Sequence, residues 1–166
     1  MKKKVSIVIV NFNGYSDTIK LLNTLLSLNY DEFDVIIVDN ASNNNSVKFI
    51  TDWMNEHSIS RVTKTSFEDN ETSIYVCNQT NYILIESGLN VGFAGGNNIG
   101  IRYAQEYSHS DFYWLLNNDT VVDRNALTEL TNIVTANDKI GICGSVLLEM
   151  GRDGIVQTSG GNKLNR

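Results

Sequence analysis

Apolar and polar positions alternate between two periods along the chain. Residues 5–10 are an almost unbroken apolar, largely β-branched run, the pattern of a strand covered on both faces of a parallel sheet. From 16 to 28, Ile19, Leu22, Leu25 and Leu26 recur at helical spacing behind Ser16, a residue suited to cap the helix. Residues 35–38 form a second buried strand that ends at Asp39, and 43–56 read as a helix with Val47, Ile50 and Met54 inward. The pattern then breaks. Residues 57–80 are polar and mixed in charge, predicting a surface excursion that ends in a strand at Ile74-Tyr75-Val76. Core strands follow at 82–85 and 112–116, helices at 98–107 and 126–136, and a last apolar strand at 140–148. Repeated strand-then-helix units predict one α/β domain over 1–166, with a mostly parallel central sheet and helices on both faces.

In such sheets, ligands sit beyond the carboxyl ends of the strands. Asn11, Asp39 and Asp119 all fall there. The sharpest signal is Tyr113-Trp114-Leu115-Leu116-Asn117-Asn118-Asp119. The apolar strand delivers Asn117 and Asp119 to its carboxyl end, two positions apart and on one face, because side chains alternate. A carboxylate and an amide oxygen can hold one hard divalent cation, Mg²⁺ or Mn²⁺, which in turn can hold a diphosphate. An ordinary turn built from Asn and Asp accounts for the same residues. At the end of its strand, Asp39 can accept hydrogen bonds from a ribose or a base, or it can cap the next helix. The segment 88–100 carries Gly88, Gly92, Gly95, Gly96 and Gly100. A helix beginning near Gly95 would aim its N–H groups at phosphate oxygens. It is not G-x-G-x-x-G and no Walker-type loop is present, which argues against nicotinamide, flavin and ATPase chemistry.

Charge and composition narrow the classes. Thirteen basic and nineteen acidic residues give a net charge of -6, and no basic stripe marks a nucleic-acid binder. Lys2-Lys3-Lys4 precedes an apolar run too short for a signal peptide. No stretch reaches the roughly 20 apolar residues of a membrane span. Cys77 and Cys143 lack metal-ligand spacing and fit reduced thiols in the cytoplasm. Neither His57 nor His109 has the partners of a catalytic triad.

Four ordered segments carry a resemblance. They are Val5 through Asn13, Val38-Asp39-Asn40-Ala41-Ser42, Asn90-Val91-Gly92-Phe93-Ala94-Gly95-Gly96-Asn97-Asn98, and Leu115-Leu116-Asn117-Asn118-Asp119. Together they resemble the family 2 inverting glycosyltransferases, nearest to bacterial rhamnosyltransferase-like members of cell-surface polysaccharide assembly. The resemblance implies a GT-A fold, whose nucleotide-binding half is Rossmann-like. It implies that Asn11 and Asn13 border the nucleoside, that Asp39 contacts base or ribose, and that Gly95, Gly96, Asn97 and Asn118 line the nucleotide-sugar pocket. Asn117 to Asp119 stands where the family carries its Asp-x-Asp metal motif, with Asn117 replacing the first acid. The implied donor is a dTDP- or UDP-sugar, dTDP-rhamnose in that branch. The implied acceptor is a glycan or lipid-linked glycan, reached in the cytoplasm or at the inner membrane face by peripheral association.

The family's catalytic base is a carboxylate well beyond the metal motif. Glu149 and Asp153 fall too early for it, so the base is expected beyond Arg166 and the chain reads as the donor-binding part of a longer enzyme. An exposed core edge in such a part is a place for self-association. The rival expectation is a non-catalytic module that binds a nucleotide sugar or a partner. A sugar nucleotidyltransferase needs a basic glycine-rich loop after its first strand, which Asn11-Phe12-Asn13-Gly14-Tyr15 does not supply.

Overall fold

The computed structural model describes residues 2–58, 63–77, 79–151 and 154–158. Its elements are β1 (Val5–Asn11), α1 (Tyr15–Leu25), β2 (Phe33–Asp39), α2 (Ser46–His57), β3 (Thr63–Phe67), β4 (Asn70–Cys77), β5 (Thr80–Glu86), α3 (Gly92–Tyr103), β6 (Phe112–Asn117), α4 (Ala126–Ala136), β7 (Leu147–Leu148) and β8 (Val156–Thr158). A π-helical turn, Ala104–Ser108, follows α3. Six strands form one sheet in the order β3-β4-β5-β2-β1-β6. Strands β5, β2, β1 and β6 run parallel, while β3 and β4 are antiparallel additions.

The alternation of side chains sorts the core into two layers. Ile7, Ile9, Val35, Ile37 and Leu84 pack with α1 and α2, and Leu127 of α4 joins them. Ile36, Val38, Ile83 and Ile85 pack with Ile99 and Tyr103 of α3. Strands β1 and β2 are buried at every position, as their unbroken apolar runs require.

Helix α3 begins three residues before Gly95 and six before Asn98, so Gly95, Gly96 and Asn97 lie inside it rather than ahead of it. Glycine disfavours a helix interior by about 1 kcal/mol each, which is why the segment reads as a turn. The gain is close packing. A Cβ on Gly100 would sit 2.5 Å from Val8 Cγ1, and one on Gly96 would sit 2.8 Å from Val10 Cγ1. Val8 is fully buried and β-branched, so it cannot swing aside. Gly100→Ala therefore sets a helix-propensity gain of about 1 kcal/mol against overpacking of about 1–3 kcal/mol. A net loss of stability is expected in urea unfolding.

The expected strand at Ile74-Tyr75-Val76 is the later part of β4, and the polar residues before it are paired into the sheet as well. Residues 63–77 form a β-hairpin that widens the sheet, with Thr63↔Ile74 and Phe67↔Asn70 in register. Its two-residue loop, Glu68 and Asp69, takes positive φ at both positions, the geometry usually marked by Asn-Gly. Here the Asn70 side chain donates to the Phe67 and Glu68 carbonyls and holds the loop instead.

Several boundaries move for local reasons. Helix α1 starts at Tyr15 with Gly14 at its cap, ahead of Ser16, and ends at Leu25. Helix α2 starts at Ser46, not at 43, because the preceding asparagines bind backbone with their side chains. Asn44 Oδ1 accepts the Ser46 N–H and Asn44 Nδ2 donates to the Asn13 carbonyl.

Strand β6, the expected core strand at 112–116, stands at the sheet edge among the described residues and is covered on one face only. Phe112, Trp114 and Leu116 pack inward, while Tyr113 and Leu115 are exposed on the other face. Residues 140–148 do not pair with it. Gly141 and Gly144 interrupt the run, and only Leu147–Leu148 form a strand, against β8. A cavity of about 680 Å³ separates this segment from β6 and α4. Asp153 and the 160–166 end lie outside the described residues.

Candidate nucleotide-sugar site

Strand order reverses at β1. The chain proceeds from β1 outward to β2 and β5, then returns to place β6 on the other side. The carboxyl ends of β1 and β6 therefore border the switch point where ligands bind in open α/β sheets. Val10 and Asn117 are paired there. A cleft of about 390 Å³ opens at this point, lined by Val10, Phe93, Asn117, Asn118 and Asp119.

Strand β6 ends at Asn117, so Asp119 is presented from a turn and not from the strand face. Thr120 closes that turn, its N–H and Oγ1 both donating to the Asn117 carbonyl at 3.3 and 2.7 Å. Asp119 is exposed and makes no ion pair among the described residues. No group of three or more His, Cys, Asp or Glu among them is arranged to hold a metal ion. One carboxylate and the Asn117 amide oxygen suit a hard cation that keeps waters and takes its remaining oxygens from a diphosphate. They do not suit a cation held by protein alone.

Beside the cleft lies a buried polar group. Asn11 is fully buried and Asp39 is 2% exposed. Asp39 Oδ2 accepts from Asn11 Nδ2 and from Ser42 Oγ, each at 2.7 Å, and Oδ1 accepts from the Ser42 N–H at 2.9 Å. Its carboxylate thus holds the loop in place, and most of its acceptor capacity is engaged within the protein. Asn13, at φ 55°, gives its N–H to Ser42 Oγ and accepts the Asn43 N–H on its side chain. Exposed Phe12 stands between these two asparagines.

The glycine-rich segment reaches the site by its first helical turn. Phe93, 58% exposed, lines the cleft, whereas Gly95, Gly96 and Asn97 do not. Asn97 is buried. Its Nδ2 donates to the Phe93 carbonyl, and its Oδ1 has no partner. Asn40 latches the segment from β2. Its Oδ1 accepts the Val91 N–H at 3.0 Å and its Nδ2 donates to Asn90 Oδ1 and the Gly92 carbonyl. Helix geometry leaves the N–H groups of Phe93 and Ala94 without intrahelical acceptors.

Sequence reasoning passed over Asn40, Ser42, Thr18 and the two exposed aromatics as site residues. An aromatic left in water beside strand ends is the signal for Phe12 and Phe93, and it is visible only once burial is known. Glu86, at the end of β5 opposite Asp39 in register, was also passed over. Burial first, then the Glu71 and Asp39 charges, raise its carboxyl above the ordinary value of 4.5. A raised folded value means that its stabilising contribution is complete below about pH 4.5 and is lost as pH rises through the raised value. Glu86→Gln is expected to raise the melting temperature at pH 7 and to match the parent at pH 4, as read by calorimetry.

Comparison with known proteins decides the family. The family model described as "Glycosyl transferase family 2" matches residues 6–157. The chain belongs to glycosyl transferase family 2. It is 32% identical over 123 residues to "Low-salt glycan biosynthesis hexosyltransferase Agl10" of Haloferax volcanii, covering 72% of this chain and 36% of that protein. Solved structures share the fold at 16% identity. The mannosyltransferase PcManGT of Pyrobaculum calidifontis, in complex with GDP-Man and Mn²⁺, aligns with a TM-score of 0.63 over 81% of this chain and 33% of its own. TarS 1-349 of S. aureus in complex with UDP-GlcNAc aligns with 0.59 over 88% and 38%. The architecture is thus the GT-A fold. The chain spans about a third of the length of these relatives. Among the described residues, no helix is long and apolar enough to cross a membrane.

Proposed function

We infer that the chain is the donor-binding part of a glycosyltransferase that moves a sugar from a nucleoside diphosphate to a hydroxyl of a glycan or lipid-linked acceptor. The observation that carries this reading is the cleft at the β1/β6 switch point, lined by Val10, Phe93, Asn117, Asn118 and Asp119. The named relatives act in glycan assembly or bind nucleotide sugars, which supports the same class.

Each part of the site has a task in this reading. Asp39 keeps Asn11, Ser42 and Asn13 in register at the nucleoside end. Phe12 offers an exposed aromatic face for a base. The open N–H groups of α3 favour phosphate oxygens. Asp119 and Asn117 would hold Mg²⁺ or Mn²⁺. The cation, when bound, offsets the charge that grows on the departing diphosphate. The donor is a dTDP- or UDP-sugar, with dTDP-rhamnose as the specific candidate from the branch the motifs resemble. Inversion at the anomeric carbon needs a base to deprotonate the acceptor hydroxyl, and Asp119, the one carboxylate lining the cleft among the described residues, is assigned to the cation in this reading.

The test is calorimetric titration with UDP, dTDP and dTDP-rhamnose, with and without Mn²⁺. Metal-enhanced binding of one of them is the expected result. No binding under any condition contradicts the reading. A second expectation concerns turnover: residues 1–166 bind donor but transfer no sugar to an acceptor glycan. Multiple-turnover transfer by this chain, with release of the nucleoside diphosphate, contradicts that expectation and means that a residue of this chain serves as the base.

A further inference from the structure

The turn after β6 and the loop after β1 are joined by a buried side chain. Thr18, fully buried on α1, donates its hydroxyl proton to Asn11 Oδ1 at 2.9 Å, with the Gly14 carbonyl at 3.2 Å as a second acceptor. Its oxygen in turn accepts from Asn118 Nδ2 at 3.2 Å. Asn118 also approaches the Gly14 carbonyl at 3.4 Å. Asn11 passes the chain onward to Asp39 and Ser42. The donors run in one direction, from Asn118 through Thr18 and Asn11 to the Asp39 carboxylate. An anionic end polarises and strengthens such a chain.

A separate observation supports the joint. Gly14 has an ordinary backbone, φ -116°, that any residue can adopt. Yet a Cβ there would lie 2.6 Å from Asn118 Nδ2. Glycine at this position leaves room for the Asn118 amide and for nothing larger.

The geometry points to Thr18 as the positioning residue that sets where Asp119 stands relative to the nucleoside loop. This rests on the metal-assisted donor site described above. Asn118 precedes Asp119 directly, so holding the Asn118 amide fixes the base of the turn. Thr18 itself reaches no ligand. Its hydroxyl instead couples the two halves that must grip one donor, base at one end and diphosphate at the other. Removing the hydroxyl lets the turn move independently of Asp39, and it loosens the benefit that metal gives to nucleotide binding.

The experiment compares Thr18→Val, nearly equal in volume, with Thr18→Ser, which keeps the hydroxyl. The first readout is amide hydrogen exchange of Thr120 without ligand. Thr18→Val is expected to speed it by about tenfold or more, the equivalent of roughly 1.4 kcal/mol of local stability, while Thr18→Ser stays near the parent. The second readout is the ratio of UDP affinities with and without Mn²⁺, expected to fall by about tenfold in Thr18→Val. Gly14→Ala provides the check if Thr18→Val does not fold, since it displaces the Asn118 amide without touching the Thr18 hydroxyl. Unchanged exchange at Thr120 in the folded variant overturns the inference. Loosened exchange in a protein that binds no nucleotide leaves the joint standing and removes only the donor-site reading.

Discussion

Asp119→Ala is expected to leave the fold intact and to remove the metal dependence of nucleotide binding. The side chain is exposed and unpaired among the described residues, so its loss uncovers no buried group. Melting temperature should change by no more than about 2 °C, the equivalent of the roughly 0.5 kcal/mol of ordinary surface substitutions. Binding is a different matter. Among the described residues, Asp119 is the only carboxylate lining the cleft, and an amide from Asn117 cannot neutralise a dication. The Mn²⁺-induced gain in UDP affinity should disappear, a loss of at least about tenfold, or roughly 1.4 kcal/mol. Asn117→Asp should act in the opposite direction and tighten metal binding, because it adds a second hard anionic ligand. An Asp119→Ala protein that keeps its metal response places the cation elsewhere.

Asp39→Ala should have the largest effect on stability. Three short hydrogen bonds end on this carboxylate, from Asn11, the Ser42 hydroxyl and the Ser42 N–H. Truncation leaves the fully buried Asn11 amide short of an acceptor. Bonds to a charged acceptor contribute about 1.5–3 kcal/mol each, and stranded partners add a desolvation cost. A loss of about 3–4 kcal/mol is expected, which lowers the melting temperature by roughly 10 °C in a chain of this size. Asp39→Asn keeps one acceptor oxygen and should fall between. Nucleotide affinity should drop in both, because Asn13 and Ser42 lose their anchor. A melting temperature unchanged in Asp39→Ala would mean that the carboxylate does not hold the loop.

The parallel core was legible because its strands are buried on both faces. Apolar runs at 5–10, 35–38 and 82–85 have no other use for so many β-branched side chains. Helix α4 was legible to the residue, since a single amphipathic period has no competing signal. What stayed hidden depended on partners distant in sequence. The hairpin from Thr63 to Cys77 is polar because one of its strands is exposed at the sheet edge. The glycines of α3 look like a turn until Val8 and Val10 are placed beneath them. In the same way, Asn117 and Asp119 were placed on one strand face, but the strand ends before Asp119 can belong to it.

The candidate site was legible as a set of strand ends, not as a set of contacts. Asn11 and Asp39 are the last residues of β1 and β2, and Asp119 follows the end of β6 by two residues. That Asp39 turns inward to Asn11 and Ser42 depends on burial, which no single sequence displays. Thr18 and Gly14 gave no signal at all, because their roles appear only when the turn after β6 folds back over α1.

The central claim is that a nucleoside diphosphate and a divalent cation meet at the β1/β6 switch point. Paramagnetic broadening of amide resonances by Mn²⁺ in the presence of UDP tests it most directly. Selective loss of signals from Phe93 and from residues 117–120, absent without UDP, is the predicted result. Broadening centred on other carboxylates, or no nucleotide-dependent broadening at all, would contradict the account.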